Sequence, residues 1–359
     1  MAAVVSLRRV SLVALLACVA LLAPSAHAAD PTAQELHFWY ELNRARHDPP
    51  AWAAEYGLGS VTGGDGAPVT LIGVAPRPPL ALNATLVDSA RFKAQELADY
   101  DYWVVGSPYG HQSGVGPTFY WPNELVRNVF GYPLATQVPD PNGGNFFYTL
   151  ADDSNQIEAL AAGYGPGASD YTQGLNALIG LIVDTGVPSL GHRVHLLAMS
   201  DFNTVFEEAG AGYGSNASAT YVNYWTFHTG VRAAPQAWLT GVAYADGNGN
   251  SLFDPGEGLA GVTVDAGAGS AVTGATGGYS IPIAAGTHDV ACSGGGFAGA
   301  ASAQVAVLGF NRQVDCISGQ PAAWVDFVPA PEPAALAAGG VAFATLAAAS
   351  RRRGAARID

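Results

Sequence analysis

Apolar residues recur at helical spacing in the first two thirds of the chain and at strand spacing in the last third. Thr32-Ala33-Gln34-Glu35 has the form of a capping box, in which the Thr hydroxyl and the Glu carboxylate each satisfy an open backbone donor. Leu36, Trp39 and Asn43 follow on one face of that helix, and Asp48-Pro49-Pro50 stops it. Asn83 can cap a second helix with Leu86, Ala90, Ala94 and Leu97 on one stripe. Residues 155–163 read as a short helix stopped by glycine, and 173–185 as another apolar helix. Residues 209–213 and 221–229 alternate as strands, so 31–232 predicts an α+β or layered α/β/α domain. From about residue 233 the chain turns to Gly, Ala, Val and Thr, with turn clusters at close intervals. Short strands at 262–265, 279–283, 288–292 and 304–308 predict a small all-β sandwich over 238–328.

The two ends have a different pattern. Residues 1–29 carry Arg8 and Arg9, an apolar run at 11–22 and the small-x-small site Ala26-His27-Ala28, the form of a cleaved signal peptide. The run is short for the ~20 residues that span a bilayer. A lipoprotein variant, from Leu15-Leu16-Ala17-Cys18, is the alternative. At 329–359, Pro331-Glu332-Pro333 precedes an uncharged helix predicted over 334–350 and then Arg351-Arg352-Arg353. These three parts, in this order at the end of the chain, resemble the PEP-CTERM sorting signal of Gram-negative bacteria. The resemblance implies a transient hold by a transmembrane helix in the inner membrane, arginines inside, then cleavage by an exosortase. With signal peptidase as the other processing partner, the product is expected at the cell surface or in the extracellular matrix. The bland alternative is a permanent anchor.

The chain holds 15 basic and 29 acidic residues, a net charge of −14; cut at both ends it would carry 9 against 27, or −18. Such a balance excludes nucleic acid and anionic membranes as partners. Of three cysteines, Cys18 leaves with the signal, and Cys292 and Cys316 are expected to pair in an oxidising setting.

Six of eight histidines lie in the first domain. The segments Leu42-Asn43-Arg44-Ala45-Arg46, Tyr109-Gly110-His111-Gln112-Ser113, Glu158-Ala159-Leu160-Ala161-Ala162-Gly163, Gly191-His192-Arg193-Val194-His195-Leu196-Leu197 and Tyr224-Trp225-Thr226 occur in that order. Together they resemble the bacterial branch of the CAP (SCP) superfamily of cysteine-rich secretory, antigen 5 and pathogenesis-related proteins. The likeness spans about residues 33–231. It implies an α-β-α sandwich with a cleft where His111 and His192, 81 residues apart, meet beside Glu158. Asp184 is the nearest candidate for a second acidic residue. Such a set can hold Zn²⁺ or another divalent ion with water completing the shell, or orient a water as general base. The chain departs from the family in three places: Gly-His-Gln stands for Ser-His-Thr, His195 replaces an asparagine, and 131–153 is long and rich in Pro and Gly.

In the second domain, Asp246, Asn248, Asn250, Asp254 and Glu257 place oxygen donors at positions 1, 3, 5, 9 and 12 of a loop, with the Leu252 carbonyl at 7. That is the spacing of an EF-hand-type Ca²⁺ loop. Ser251 stands where glycine usually turns and strands rather than helices flank the loop; Ca²⁺ is the expected ion, and a polar Asn/Gly turn is the alternative. The continuation through Gly261, Gly277-Gly278-Tyr279 and Gly286 resembles bacterial SdrD-B and Cna-B-like surface sandwiches, implying a spacer. The expected function is an exported, non-enzymatic ligand- or metal-binding protein, taking an apolar small molecule, a metal or a matrix component. The rivals are a hydrolase using His111, Glu158 and His192 as catalytic residues, and a purely structural matrix component. No G-x-S-x-G elbow or histidine-paired cysteine favours the hydrolase.

Overall fold

The computed structural model describes residues 30–101, 110–165 and 170–325, so the expected signal peptide and the expected sorting tail both lie outside the described residues. Among the described residues no helix is long and apolar enough to cross a membrane. The fold is mixed α/β with several sheets.

Helix α1 (Ala33–His47) opens on the expected capping box, with Glu35 N–H donating to Thr32 Oγ1 at 3.3 Å and Thr32 N–H to Glu35 Oε2 at 2.7 Å. Asp48 ends α1 and caps the short α2 (Pro49–Glu55). After β1 (Ala81–Leu82), Asn83 caps α3 (Ala84–Asp99) by accepting from Leu86 N–H. Two small hairpins follow, β2 (Ser113–Val115) with β3 (Thr118–Tyr120) and β4 (Gln137–Pro139) with β5 (Phe147–Thr149). Then come β6 (Glu158–Gly163), α4 (Gly174–Val183), α5 (Gly191–Leu196), β7 (Glu208–Ser215) and β8 (Asn223–Gly230). The main sheet runs β1-β7-β8-β6, with β1 parallel to β7 and the other pairs antiparallel.

Glycine shapes one face of that sheet. A Cβ at Gly210, Gly212 or Gly214 would meet the α3 backbone at 2.2, 2.0 and 2.4 Å, so β7 lets α3 lie directly on the strand. On the opposite face, Phe38 of α1 stacks on Trp225 and Phe227 of β8 at 5.7 and 5.4 Å. The helix expected over 155–163 is strand β6 instead. Helix propensity in its alanine run is overridden by six cross-strand pairs to β8, which bury alternate residues on both faces.

The second domain packs two four-stranded sheets face to face. One is β11 (Ser270–Val272), β10 (Thr263–Asp265), β13 (Gly286–Ser293) and β14 (Ala300–Val307). The other is β12 (Gly278–Ile283), β9 (Ala237–Tyr244), β15 (Arg312–Ile317) and β16 (Trp324–Val325). Cys292 on β13 and Cys316 on β15 are bonded, the expected pairing, and the bond ties the two sheets together.

The two domains meet across α1 and β1. Ser280 Oγ donates to Leu82 O at 2.9 Å, and Asn311 Nδ2 to Pro79 O and Glu207 O at 3.0 and 2.6 Å. Phe253, from the acidic loop, is 1% exposed and sits against His37, Tyr40 and Tyr244, inside the core that the first domain builds. Helix α1 is buried on nearly every side: Phe253 covers His37 and Tyr40, while Glu35, Glu41, Asn43 and Arg46 find partners within the first domain, at Arg91, Trp52, Leu80 and Leu196. A sequence reading of α1 as one-faced misses half of its packing.

Candidate functional site

His111 and His192 line one open cleft of about 370 Å³, together with Glu158, His195, Asn155, Gln156, Val187, Phe202 and Asn203. Each of the two imidazoles has a buried carboxylate behind it. His111 Nδ1 donates to Glu158 Oε1 at 2.7 Å, and His192 Nδ1 to Asp184 Oδ1 at 2.7 Å. The carboxylate side chains are 0 and 2% exposed, whereas the imidazoles are 40 and 30% exposed. An ionised carboxylate only accepts, so it fixes the proton on Nδ1 and leaves Nε2 with its lone pair.

The local fold delivers each group. Asp184 closes α4 in a left-handed conformation, φ 58°. Its Oδ2 there accepts the His192 N–H at 3.0 Å, so one carboxylate caps α5 and orients the imidazole that α5 carries. Glu158 begins β6 directly opposite His228 of β8. Its Oε2 accepts from His228 Nε2 at 2.9 Å, and His228 Nδ1 faces the Ser89 hydroxyl of α3 at 2.8 Å. Asn155 Oδ1 accepts the Glu158 N–H at 3.0 Å, and its Nδ2 stands 2.9 Å from His111 Nδ1. Burial works to raise the Glu158 pKa, but the hydrogen bonds and charge of His111 and His228 outweigh it and bring it down to about 2.

Ser89, His228 and Glu158 have the composition of a catalytic triad, but Ser89 and His228 are 0% exposed. No substrate atom reaches that serine, and the line serves to hold Glu158. Among the described residues, the cleft lining contains no serine, cysteine or lysine that could act as a nucleophile. Glu158 lines the cleft beside His111, whereas Asp184 stands behind His192 and outside the lining; each accepts from an imidazole Nδ1. Among the described residues no three His, Cys, Asp or Glu side chains are grouped to cage an ion.

His195, whose role the sequence leaves open, is committed on both nitrogens. Nδ1 donates to Asn203 Oδ1 at 2.9 Å, and Nε2 lies 3.2 Å from Thr229 Oγ1. Burial foremost pushes its pKa down to about 4; hydrogen bonds to Asn203 and to the Ile157 backbone act the other way, and Arg46 and His192 add to the lowering. The unfolded chain would take this proton near the ordinary value of 6.5. The stabilising contribution is thus complete above pH 6.5 and falls as pH drops toward 4, by at most ~3 kcal/mol and less as far as the ring meets solvent. Urea midpoints between pH 7 and 4 should show this limb, and His195→Gln should flatten it; an unchanged limb in that variant would remove the assignment.

Sequence reasoning places His228 on the closing strand as a structural residue and misses Ser89 and Asn155. The only signal for His228 is its register opposite Glu158, which exists once the strands pair.

In the acidic loop, Asp246 accepts the N–H groups of Gly249, Asn250 and Ser251 at 2.7 to 3.1 Å. Asp254 Oδ2 accepts from Asn248 Nδ2 and Asn250 Nδ2, both at 2.7 Å. Glu257 reaches back to the N–H groups of Gly247 and Asp254. Ser251 adopts φ 63°, so it makes the left-handed turn usually given to glycine. The flanks are β-structure: β9 leads in, and a bridge from Tyr244 to Gly258 closes the loop. No protein-family model, curated protein or solved structure matches the chain.

Proposed function

We propose that the chain is an exported, CAP-like, non-enzymatic binding protein whose cleft engages its ligand through a divalent metal ion on His111 and His192. One observation carries this reading: two imidazoles in one open cleft each give Nδ1–H to a buried carboxylate and keep Nε2. Carboxylate-backed imidazole is the arrangement that orients metal-ligating histidines and raises their basicity. The donors suit Zn²⁺, with water and an incoming ligand completing the shell, and the bound ion would supply a Lewis-acidic anchor for a ligand oxygen or nitrogen. Helices on both faces of the main sheet support the CAP-like α-β-α sandwich, and a cleft whose described lining holds no serine, cysteine or lysine supports binding over hydrolysis.

The export signal and the PEP-CTERM-like tail support a life at the cell surface or in the matrix, with the β-sandwich as the module that presents the cleft. The 246–257 loop is proposed to hold Ca²⁺ through Asp246, Asn248, Asn250, the Leu252 carbonyl, Asp254 and Glu257.

Two measurements test these assignments. Calorimetric titration of the mature protein with Zn²⁺ should find one site, weakened at least ~100-fold in His111→Ala/His192→Ala, because both ligands go. Equal affinity in a folded double variant sinks the metal reading. Ca²⁺ should raise the melting temperature of the wild type but not of Asp246→Ala; a rise of equal size in both would place the ion elsewhere.

A further inference from the structure

Lys93 is the only lysine among the 15 basic residues of the chain, and its side chain is 0% exposed. It lies on the buried stripe of α3. Its Nζ donates to Glu96 Oε2 at 2.9 Å and to Gln112 O at 2.7 Å. Glu96, 4% exposed, turns its other oxygen to the Gly114 N–H at 2.5 Å. One ion pair thus takes hold of the backbone on the C-terminal side of His111 at two points, a carbonyl and an amide.

A buried ion pair is a poor source of stability. Its desolvation offsets most of its attraction, and an apolar pair of the same volume is often as stable or more so. What such a pair does offer is register, since its two charges accept few alternative placements of their partners. Here the partners are the residues next to His111, whose imidazole must reach Glu158 while Nε2 faces the cleft. The imidazole is oriented from behind by Glu158, but nothing in that contact fixes where its backbone stands. The β2–β3 hairpin is only three pairs long, too short to supply a rigid platform by itself.

We propose that Lys93 and Glu96 are a positioning pair that sets the location of His111, and through it the spacing of the two cleft imidazoles. The inference concerns the same site as the proposed metal reading, but its geometric part stands without any metal.

The test is the full mature chain with Lys93→Met/Glu96→Leu, which removes both charges and keeps apolar volume, so that no orphan charge is left. This variant should fold and melt within a few degrees of the wild type. In the metal-free protein, the slowly exchanging imidazole proton shared by His111 Nδ1 and Glu158 should be visible by NMR in the wild type and lost in the variant. Exchange of the Gly114 amide should rise at least tenfold. With Zn²⁺ as the probe, affinity should fall ten- to a hundredfold. If the folded variant keeps the imidazole proton and the slow amide, the proposal is overturned. If the double variant does not fold, Lys93→Met/Glu96→Gln, which also leaves no orphan charge and removes the hold on the Gln112 carbonyl, is judged on the imidazole proton: its loss supports the proposal and its retention overturns it. Should His111→Ala bind Zn²⁺ as the wild type does, the metal reading fails while the metal-free signals still decide the positioning role.

Discussion

Phe253→Ala is expected to destabilise the protein by about 3–5 kcal/mol, the usual cost of emptying a buried aromatic site. The figure is high for a residue in an exposed polar loop, and the reason is where the ring goes. It leaves the loop and enters a pocket lined by His37, Tyr40 and Tyr244, with ring centroids 6.2, 5.5 and 5.9 Å away. His37 and Tyr40 belong to α1, Tyr244 to β9, so the loss falls on the contact between two domains. Calorimetry should therefore show more than a lower melting temperature: a single transition should broaden or split as the sandwich and the α/β domain begin to unfold apart. Phe253→Leu, which keeps most of the volume, should cost clearly less. An unchanged single transition in Phe253→Ala would mean that the hydrogen bonds at Leu82 and Asn311 couple the domains unaided.

Glu158→Ala should cost a comparable 3–5 kcal/mol, because it strands polar groups that are already out of water. His228 is wholly buried, and its Nε2 would keep a proton with no acceptor. His111, more exposed, would find water instead. Glu158→Gln should be milder for stability and nearly as harmful for the site. An amide offers one oxygen where two imidazole donors wait, so one of the two must change tautomer or turn away. Zn²⁺ affinity should then fall ten- to a hundredfold while the urea midpoint moves little. A Gln variant that binds like the wild type would show that Glu158 does not govern the imidazole of His111.

Much of the fold is readable from the chain because it is locally encoded. The Thr32 capping box, the Asn83 cap, the apolar stripe of α3 and the alternation in the sandwich strands all act within a few residues, and all are present. The cysteine pairing follows from Cys292 and Cys316 being the only two cysteines beyond residue 18. What fails to show is whatever depends on distant partners. Residues 158–163 are alanine-rich and look helical until β8 offers its edge. The roles of Glu158 and Asp184 depend on which atom of each imidazole they face, and His228 matters only because register sets it opposite Glu158. Phe253 looks like an ordinary member of a turn, since nothing near it in sequence announces that it crosses to another domain.

The burial of Lys93 has a practical consequence for anyone handling the molecule. With no other lysine in the chain, the folded protein offers acylating reagents and aldehyde fixatives no side-chain amine, only its N-terminus. Conventional amine coupling would tether every copy by the same end and leave the cleft unmodified. Any slow second acylation would time the opening of the α3 core, with Lys93 as its own built-in reporter.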